Sequence, residues 1–224
     1  KELKDFEKIN VDDFGLFNPT FPQKFLIFIA QKSFLKRGQL RRLISYLVYS
    51  IRKKPLDVYF RDCAFRLHYN RRNHIQDGLL VNPEYNFNDI EFLLNGSDTN
   101  SNFVDIGANI GLYSLPLALN TPDGQVVAID ANPLMIKQLN FNAEASKLTN
   151  LKIIFSAVSN KTGYGSLTIR NEDDAIVAIN EKNNDGIPIR TLRDILAESK
   201  IGKVYGLKID VEGMENKVLK GGIN

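Results

Sequence analysis

Five residues of one short segment have the types and spacing that a cofactor-binding turn requires. They lie between an apolar run, residues 103–106, and the start of a predicted helix, and they are Asp105, Gly107, Ala108, Asn109 and Gly111. Gly107 lacks the Cβ that would block a ligand lying on the turn, and Gly111 permits close packing of the helix against the strand. Open α/β sheets bind their ligands at such an edge. The segment therefore predicts a site for a nucleotide-like cofactor.

The class of cofactor follows from the polar side chains of this turn. The dinucleotide fingerprint G-x-G-x-x-G needs a glycine where this chain has Asn109, because the backbone must approach a pyrophosphate there. Asp105 would repel a pyrophosphate, but it could receive the ammonium group of an aminoacyl cofactor, directly or through water. We therefore expect S-adenosylmethionine and not NAD. Asn109 either orients the aminoacyl end of the cofactor or tolerates a strained turn.

Asp130 is the predicted partner of the cofactor's ribose. It follows the next apolar run and lies 23 residues after Gly107, near the interval of about 20 residues at which an acidic residue meets ribose hydroxyls in such folds. The alternative is a solvated loop carboxylate. Four residues near the ends of the second and third strands complete the predicted cofactor contacts: Ala131, Asn132, Ala157 and Val158.

The elements that would position these residues alternate between strand and helix. Apolar runs and helical spacing predict four core strands and two helices, at residues 103–106, 112–119, 126–129, 133–145, 151–155 and 204–209. This order is typical of an α/β fold with a mostly parallel, Rossmann-like sheet. Residues 166–170 and 176–179 predict an inserted hairpin, and Thr191 with Asp194 predicts the start of a further helix. Because the last strand would be an apolar edge, we expect the domain to be incomplete at its C-terminus.

Residues 1–100 predict an appendage to this domain. It comprises an irregular arm with a short helix, an amphipathic helix and a small hairpin, at residues 25–35, 40–51 and 58–69. Asn88 and Glu91 have capping-box spacing ahead of a further helix, which explains Glu91 without a contact to the cofactor. The predicted domains are therefore 1–100 and 101–224.

Composition limits the classes of protein to which this chain can belong. Apolar residues make up 43% and charged residues 25% of the 224 residues, as in ordinary globular proteins. The longest apolar run, residues 25–30, is far shorter than the roughly 18–20 residues that cross a bilayer. A single cysteine, Cys63, excludes an internal disulfide and a zinc cluster and favours a cytoplasmic setting. His68 and His74 lack metal-ligand spacing, and the phase of its strand predicts that His68 is exposed.

Positive charge is concentrated in the appendage. Residues 32–72 contain twelve Lys or Arg and two Asp, whereas the whole chain has a net charge of +3. The cluster could hold an anionic or membrane-tethered small-molecule acceptor, or it could bind RNA as the substrate of an enzyme that uses the same cofactor. A third alternative is that the helix at 40–51 attaches the protein to anionic lipid or to a partner helix. The same apolar stripe could instead pack on the protein's own sheet, as such helices usually do.

Four ordered motifs give the chain a resemblance to a known family. It resembles the FkbM-type methyltransferases through Val104-Asp-Ile-Gly-Ala-Asn-Ile-Gly-Leu-Tyr-Ser114, Val127-Ala-Ile-Asp-Ala-Asn-Pro133, Ser156-Ala-Val-Ser159 and Leu207-Lys-Ile-Asp-Val-Glu-Gly-Met-Glu215. The family more commonly has Glu-Pro in place of Asp130-Ala131, a difference that keeps the carboxylate. The resemblance implies a class I, Rossmann-like methyltransferase domain that uses S-adenosylmethionine. It also implies methyl transfer to a hydroxyl oxygen of a sugar, glycolipid or other small molecule.

Asp210 and Glu212 are the predicted catalytic residues. In strand geometry they point to the same face, near the end of the fourth core strand and next to the cofactor turn. A sugar hydroxyl is a poor nucleophile, so either carboxylate could serve as a general base, and both could hold Mg²⁺. The base role is preferred because two side-chain ligands do not define a metal site. The alternative is structural: Glu212 caps the next helix and Asp210 orients a backbone amide.

The nature of the acceptor has one further clue in the same segment. Enzymes that methylate exocyclic base nitrogens usually carry an Asn/Asp-Pro-Pro-aromatic tetrad after the fourth strand, and that place reads Asp210-Val-Glu-Gly213 here. The tetrad is absent from the sequence. A small-molecule or glycan hydroxyl is therefore favoured over a nucleic acid.

Overall fold

The chain divides between Phe87 and Asn88 into an N-terminal unit, Lys1–Phe87, and a C-terminal unit, Asn88–Asn224. The computed structural model describes residues 13–68, 74–171, 174–178, 186–211 and 213–223. The sequence predicts a boundary after residue 100, whereas this division precedes it, so that residues 88–100 belong to the C-terminal unit. No helix of the described residues is long and apolar enough to span a bilayer.

The described residues of the N-terminal unit form three α-helices, one 3-10 turn and a two-stranded sheet. Its elements are α1 (Phe21–Gln31), a 3-10 turn (Phe34–Lys36), α2 (Gly38–Ile51), β1 (Leu56–Phe60), β2 (Cys63–Leu67) and α3 (His74–Val81). The first helix starts before the predicted residue 25, because Pro22 lies in its first turn and does not interrupt it. Thr20 and Gln23 form a capping box there, in which the Thr20 N–H donates to Gln23 Oε1 at 3.0 Å.

The predicted N-terminal hairpin is present. β1 and β2 pair antiparallel, and the turn residues Arg61 and Asp62 have φ values of 49° and 63°, as a type I′ turn requires. Every residue of β2 is buried. The predicted exposure of His68 is wrong, since only 4% of this residue is exposed. Alternation misplaces it because β2, the strand that it follows, is buried on both faces.

A buried ion pair joins the hairpin to the arm that precedes α1. Arg66 Nε lies 2.7 Å from Asp57 Oδ1, and both side chains are fully buried. The Asp57 carboxylate also accepts hydrogen bonds from the backbone N–H groups of Gly15 at 2.7 Å and Phe17 at 3.1 Å. Burial raises the pKa of the nearby Cys63 thiol to about 12, so that residue stays protonated and packs as a small apolar side chain.

The C-terminal unit has the predicted α/β, Rossmann-like architecture. Its main sheet has the strand order β10-β3-β4-β5, and every neighbouring pair is parallel. The strands are β3 (Asn102–Ile106), β4 (Val126–Asp130), β5 (Leu151–Phe155) and β10 (Val204–Ile209). The helices are α4 (Phe87–Leu94), α5 (Ser114–Asn120), α6 (Pro133–Ala145), α7 (Leu192–Ser199) and α8 (Glu215–Ile223). Apolar side chains of these strands, α7 and α8 form one core cluster, among them Val104, Val127, Ile195 and Val218.

Two predicted helix starts have different outcomes. Thr191 caps α7, because its side chain accepts a hydrogen bond from the Asp194 N–H at 3.1 Å, as its spacing predicts. The predicted capping box at Asn88 and Glu91 is wrong. Asn88 is the second residue of α4, and a residue inside a helix cannot have the extended backbone of an N-cap.

A second sheet in the same unit contains the predicted hairpin insertion. β7 (Gly163–Asn171) and β8 (Asp174–Ala178) pair antiparallel, with Ser166 opposite Ala178; the predicted end at residue 179 lies outside the described residues. Two short strands that the sequence does not predict complete the order β6-β9-β7-β8. They are β6 (Ala157–Ser159) and β9 (Ile187–Thr191).

Candidate functional site

The turn after β3 is fixed against the end of β4. The N–H groups of Gly107 and Ala108 both donate to the carbonyl oxygen of Ile129, at 2.8 and 3.0 Å. Positive φ values recur at every second residue: 80° at Gly107, 50° at Asn109 and 99° at Gly111. This backbone path directs the turn across the carboxyl end of the sheet, where the sequence predicts the cofactor.

The two glycines of the turn are needed for packing. A Cβ at Gly107 would lie 1.9 Å from the carbonyl oxygen of Asp210, which follows β10. The predicted reason for Gly107, room for a ligand, is therefore corrected: the close neighbour is the adjacent backbone. A Cβ at Gly111 would lie 2.1 Å from Leu115 Cδ1 and 2.7 Å from Leu139 Cδ1, so Gly111 makes room for side chains of α5 and α6, and not for the strand.

Asp130 is held by two backbone N–H groups at the end of β4. Its Oδ2 accepts a hydrogen bond from Asn109 at 2.8 Å, and its Oδ1 accepts one from Asn132 at 2.8 Å. Burial raises the pKa of this carboxyl above its ordinary value, against the effect of these two hydrogen bonds. Each oxygen keeps further acceptor capacity. The solvated-loop alternative for Asp130 does not describe this fixed and desolvated carboxylate.

The neighbouring amides explain how the sequence builds this geometry. Asn109 tolerates its left-handed backbone because its own Oδ1 accepts a hydrogen bond from the Ile110 N–H at 2.9 Å. Asn132 Oδ1 accepts one from the Leu134 N–H at 3.0 Å and caps α6. Both amides therefore use side-chain oxygens locally and offer backbone N–H groups to Asp130.

Lys208 is a site residue that the sequence does not predict. Its Nζ lies 3.0 Å from Asp105 Oδ1 and donates to the carbonyl oxygen of Gly107 at 2.7 Å. Asp105 is fully buried, and its other oxygen accepts a hydrogen bond from the Ser114 hydroxyl. The ring of Tyr113 lies 5.2 Å from the same Nζ, within the range of a cation–π contact. The ammonium group expected next to Asp105 is thus supplied by the protein's own lysine.

We expect Lys208→Met to lower the free energy of unfolding by about 2–3 kcal/mol, because it leaves the buried Asp105 charge without its cation. Breaking a fully buried pair costs about 3–5 kcal/mol, and 14% of the Lys208 side chain is exposed, which reduces the loss. Urea unfolding measures it. Lys203→Met, at an exposed lysine before β10, is the matched control. Equal stability of the two variants would contradict this role for Lys208.

The two predicted catalytic carboxylates have different outcomes. Asp210 follows β10, its side chain is 69% exposed, and its Oδ2 lies 3.8 Å from Lys208 Nζ. Glu212 lies outside the described residues. The loop before α8 is held by Glu215, whose Oε1 accepts a hydrogen bond from the Gly213 N–H at 3.1 Å. Hydrogen bonds from the backbone N–H groups of Glu215 itself and Gly213 lower the pKa of Glu215.

The remaining predicted contacts lie at the ends of β4 and β5. Ala131 is half-buried beside Asp130, and Ala157 is half-buried at the start of β6. Val158 and Ala108 are buried, and Val158 belongs to the main core cluster. Within the described residues, no three His, Cys, Asp or Glu side chains are grouped as metal ligands. The arrangement at this edge is therefore a set of oriented acceptors: Asp105, the Gly107 carbonyl, Asp130 and Asp210.

This acceptor set is compatible with S-adenosylmethionine. Asp130 has oriented oxygens for ribose hydroxyls, which are donors. The ammonium of Lys208 on Asp105 and Gly107 shows that these atoms bind a primary ammonium group, the group that the aminoacyl end of the cofactor carries. Asp130 thus presents acceptors of the kind that ribose hydroxyls need, whereas Asp105 and the Gly107 carbonyl already hold the ammonium group of Lys208.

A family model and a curated protein match parts of this chain. The model of the Methyltransferase FkbM domain matches residues 105–224. Over 83 residues the chain is 30% identical to the carboxy-S-adenosyl-L-methionine synthase of Ruthia magnifica subsp. Calyptogena magnifica, a match that covers 36% of this chain and 31% of that protein. The chain thus matches about a third of the length of this curated relative.

Two solved structures are among those similar to part of this chain. One is the structure of M. jannaschii TYW2 in complex with AdoMet, which is 24% identical in sequence. The match covers 46% of this chain and 44% of that chain, with a TM-score of 0.37. For the SAM-dependent methyltransferase from Agrobacterium tumefaciens the values are 45% and 32%, with 19% identity and a TM-score of 0.35. The family assignment rests on the domain match, which covers more than half of the chain from Asp105 onward. This chain belongs to the FkbM methyltransferase domain family.

Proposed function

We propose that this protein transfers a methyl group from S-adenosylmethionine to a hydroxyl oxygen of a sugar, glycolipid or other small molecule. The observation that carries the proposal is the Asp130 carboxylate, which two backbone N–H groups orient at the carboxyl ends of β3 and β4. Membership of the FkbM methyltransferase domain family supports methyl transfer. The absence of the Pro-Pro-aromatic tetrad after Asp210 supports an oxygen nucleophile.

Several side chains of the turn would hold the cofactor. Asp130 would accept hydrogen bonds from the two ribose hydroxyls, while Asp105 and the Gly107 carbonyl would accept from the ammonium group. The ammonium group of Lys208 occupies these last two acceptors. When the cofactor binds, Lys208 must therefore share them with the cofactor's ammonium group or move away from them. Ala131, Asn132, Ala157 and Val158 remain the proposed contacts around the adenosine. When bound, the cofactor supplies an electrophilic methyl group on its sulfonium sulfur.

Asp210 is the proposed general base. Its exposed carboxylate follows β10, and its backbone N–H donates to the Ile106 carbonyl oxygen at 2.9 Å, which ties it to the strand that precedes the turn. Asp210 would accept the proton of the acceptor hydroxyl as its oxygen takes the methyl group that the bound cofactor would supply. The products would be the methyl ether and S-adenosylhomocysteine.

We expect Asp130→Ala to weaken binding of S-adenosylhomocysteine by about 10- to 150-fold, because a hydrogen bond to a charged group is worth about 1.5–3 kcal/mol. Isothermal titration calorimetry of the wild type and the variant measures this loss. NAD is the ligand control and should not bind. Asp123→Ala, which removes an exposed carboxylate before β4, is the matched variant and should bind as the wild type does.

Two outcomes would contradict the proposal. If Asp130→Ala and Asp123→Ala bound S-adenosylhomocysteine equally well, Asp130 would not contact the ribose. If the wild type bound the cofactor but transferred no labelled methyl group to any of a panel of glycosides, glycolipids and alcohols, while it labelled RNA, the acceptor class would be wrong.

A further inference from the structure

The N-terminal unit exposes an unusual amount of large apolar side chain. On α1, the exposed residues Phe21, Phe25, Phe28 and Ile29 recur at the spacing of one helix face. On α2, the same is true of a second set: Leu40, Leu43, Leu47 and Ile51. Each of these eight side chains is more than a third exposed. Phe34, in the turn between the two helices, is 71% exposed.

These residues are not the face by which the helices pack inside their unit. The buried residues of α2 are Ile44, Ser45, Val48 and Tyr49, and those of α1 are Gln23 and Ala30. The predicted apolar stripe of α2 is thus divided: Ile44 and Val48 are buried, whereas Leu40, Leu43, Leu47 and Ile51 are exposed. A helix of a water-soluble domain normally has one apolar face, so a second one indicates a surface that is covered by something else.

The charge of the segment indicates what covers it. From Phe14 to Leu56 the sequence has no acidic residue and nine basic ones: Lys24, Lys32, Lys36, Arg37, Arg41, Arg42, Arg52, Lys53 and Lys54. Six of these are exposed around the apolar side chains: Lys24, Lys32, Arg37, Arg42, Lys53 and Lys54. Lys36 is paired with Glu84, and the six exposed cations combine with the bulky apolar side chains in one positively charged surface.

We propose that α1, the turn at Phe34 and α2 form a docking surface for an anionic lipid bilayer. Phenylalanine, leucine and isoleucine would enter the boundary between headgroups and acyl chains, and the lysines and arginines would contact the anionic headgroups. A second copy of this chain fits less well, because each copy would bring the same positive charge. RNA would use the charge but would leave the leucine and isoleucine side chains in water.

The test is co-sedimentation of the full chain with sucrose-loaded vesicles of phosphatidylcholine, with and without phosphatidylglycerol. We expect binding to the vesicles that contain phosphatidylglycerol and little to pure phosphatidylcholine. The double variant Phe25→Ser/Phe28→Ser should lower the partition coefficient at least about tenfold, since each side chain contributes its burial in hydrocarbon. Lys53→Glu/Lys54→Glu should lower it by a similar factor, since each reversal replaces attraction with repulsion.

Phe92→Ser is the matched control. Phe92 is 79% exposed on α4 of the C-terminal unit, so its loss changes a surface phenylalanine without touching the docking surface, and binding should not change. Thermal unfolding by circular dichroism checks that each variant is folded. The readout is sedimentation alone, so the result does not depend on the proposed methyl transfer.

Three outcomes would overturn the proposal. The first is equal binding to both kinds of vesicle, or to neither. The second combines two results: the partition coefficient is unchanged in Phe25→Ser/Phe28→Ser, and single-stranded RNA displaces the protein from vesicles. The positive charge would then serve to bind nucleic acid. The third is a dimer by light scattering that becomes a monomer in this double variant, which would assign the surface to self-association.

Discussion

Gly107→Ala is expected to lower the free energy of unfolding by about 3–5 kcal/mol and to abolish binding of S-adenosylhomocysteine. Two effects combine at this position. The backbone has a φ of 80°, and a left-handed conformation costs a residue with a Cβ about 1–2 kcal/mol. The new Cβ would also lie 1.9 Å from the carbonyl oxygen of Asp210, and overpacking of this kind costs about 1–3 kcal/mol or more.

The second effect decides the size of the loss, because the obstructing atom belongs to the backbone and cannot rotate away. Relief requires the end of β3 to move from the end of β10, and that movement would separate Asp105 from Lys208 and displace the turn. The cofactor site and the stability of the sheet should therefore fail together.

Two glycines of the same unit separate the contributions. Gly213 has a φ of 87° and no atom within 4 Å of the position that a Cβ would take, whereas Gly163 has open space and no left-handed backbone. In urea unfolding, Gly213→Ala should lose about 1–2 kcal/mol and Gly163→Ala should lose almost nothing. A Gly107→Ala variant no less stable than Gly213→Ala would show that the overlap with Asp210 is relieved without cost.

Much of the C-terminal unit could be predicted because its signals are local. α6 begins with Pro133 after the capping Asn132, and its predicted bounds agree with the structure. β5 and β10 also have their predicted bounds, since each is a short apolar run. Asp130 could be singled out because a strand ends there and a fixed interval separates it from Gly107.

Lys208 could not be found in this way, because its role depends on pairing between distant segments. In the sheet, Lys208 is the register partner of Asp105, and residues paired in register have side chains on the same face. A charged residue inside a buried strand is a weak sequence signal for such a partner. The contact can be identified only when the order and register of the strands are known. The sequence predicts a mostly parallel sheet but gives neither the strand order nor the register.

In the N-terminal unit, the exposure of individual side chains is harder to predict from the sequence, because several polar residues are buried together with a polar partner. Alternation predicts an exposed His68, yet every residue of β2 is buried, and the buried Arg66 forms an ion pair with Asp57. On α2 the spacing is typical of a core-facing helix, and Ile44 and Val48 are buried, but Leu43 of the same stripe is exposed. Periodicity identifies an apolar face without identifying what covers it.

The largest expected effect on catalysis is at Asp210. If its carboxylate removes the proton of the acceptor hydroxyl, Asp210→Asn should lower kcat by about 10²- to 10⁴-fold, the usual contribution of a general base. The amide keeps the shape of the side chain, and the backbone hydrogen bond to the Ile106 carbonyl oxygen at 2.9 Å does not involve the altered group. Binding of S-adenosylhomocysteine should therefore be unchanged, which distinguishes a lost base from a damaged cofactor site.

The measurement is a labelled-methyl assay with the acceptor that the panel identifies and with Asp123→Asn as the matched control. The wild type and Asp123→Asn should transfer the methyl group at the same rate, whereas Asp210→Asn should keep only a residual rate. An undiminished kcat in Asp210→Asn would exclude Asp210 as the base. Because Glu212 is the other carboxylate that the sequence predicts as a base, Glu212→Gln would then be the variant in which kcat should fall.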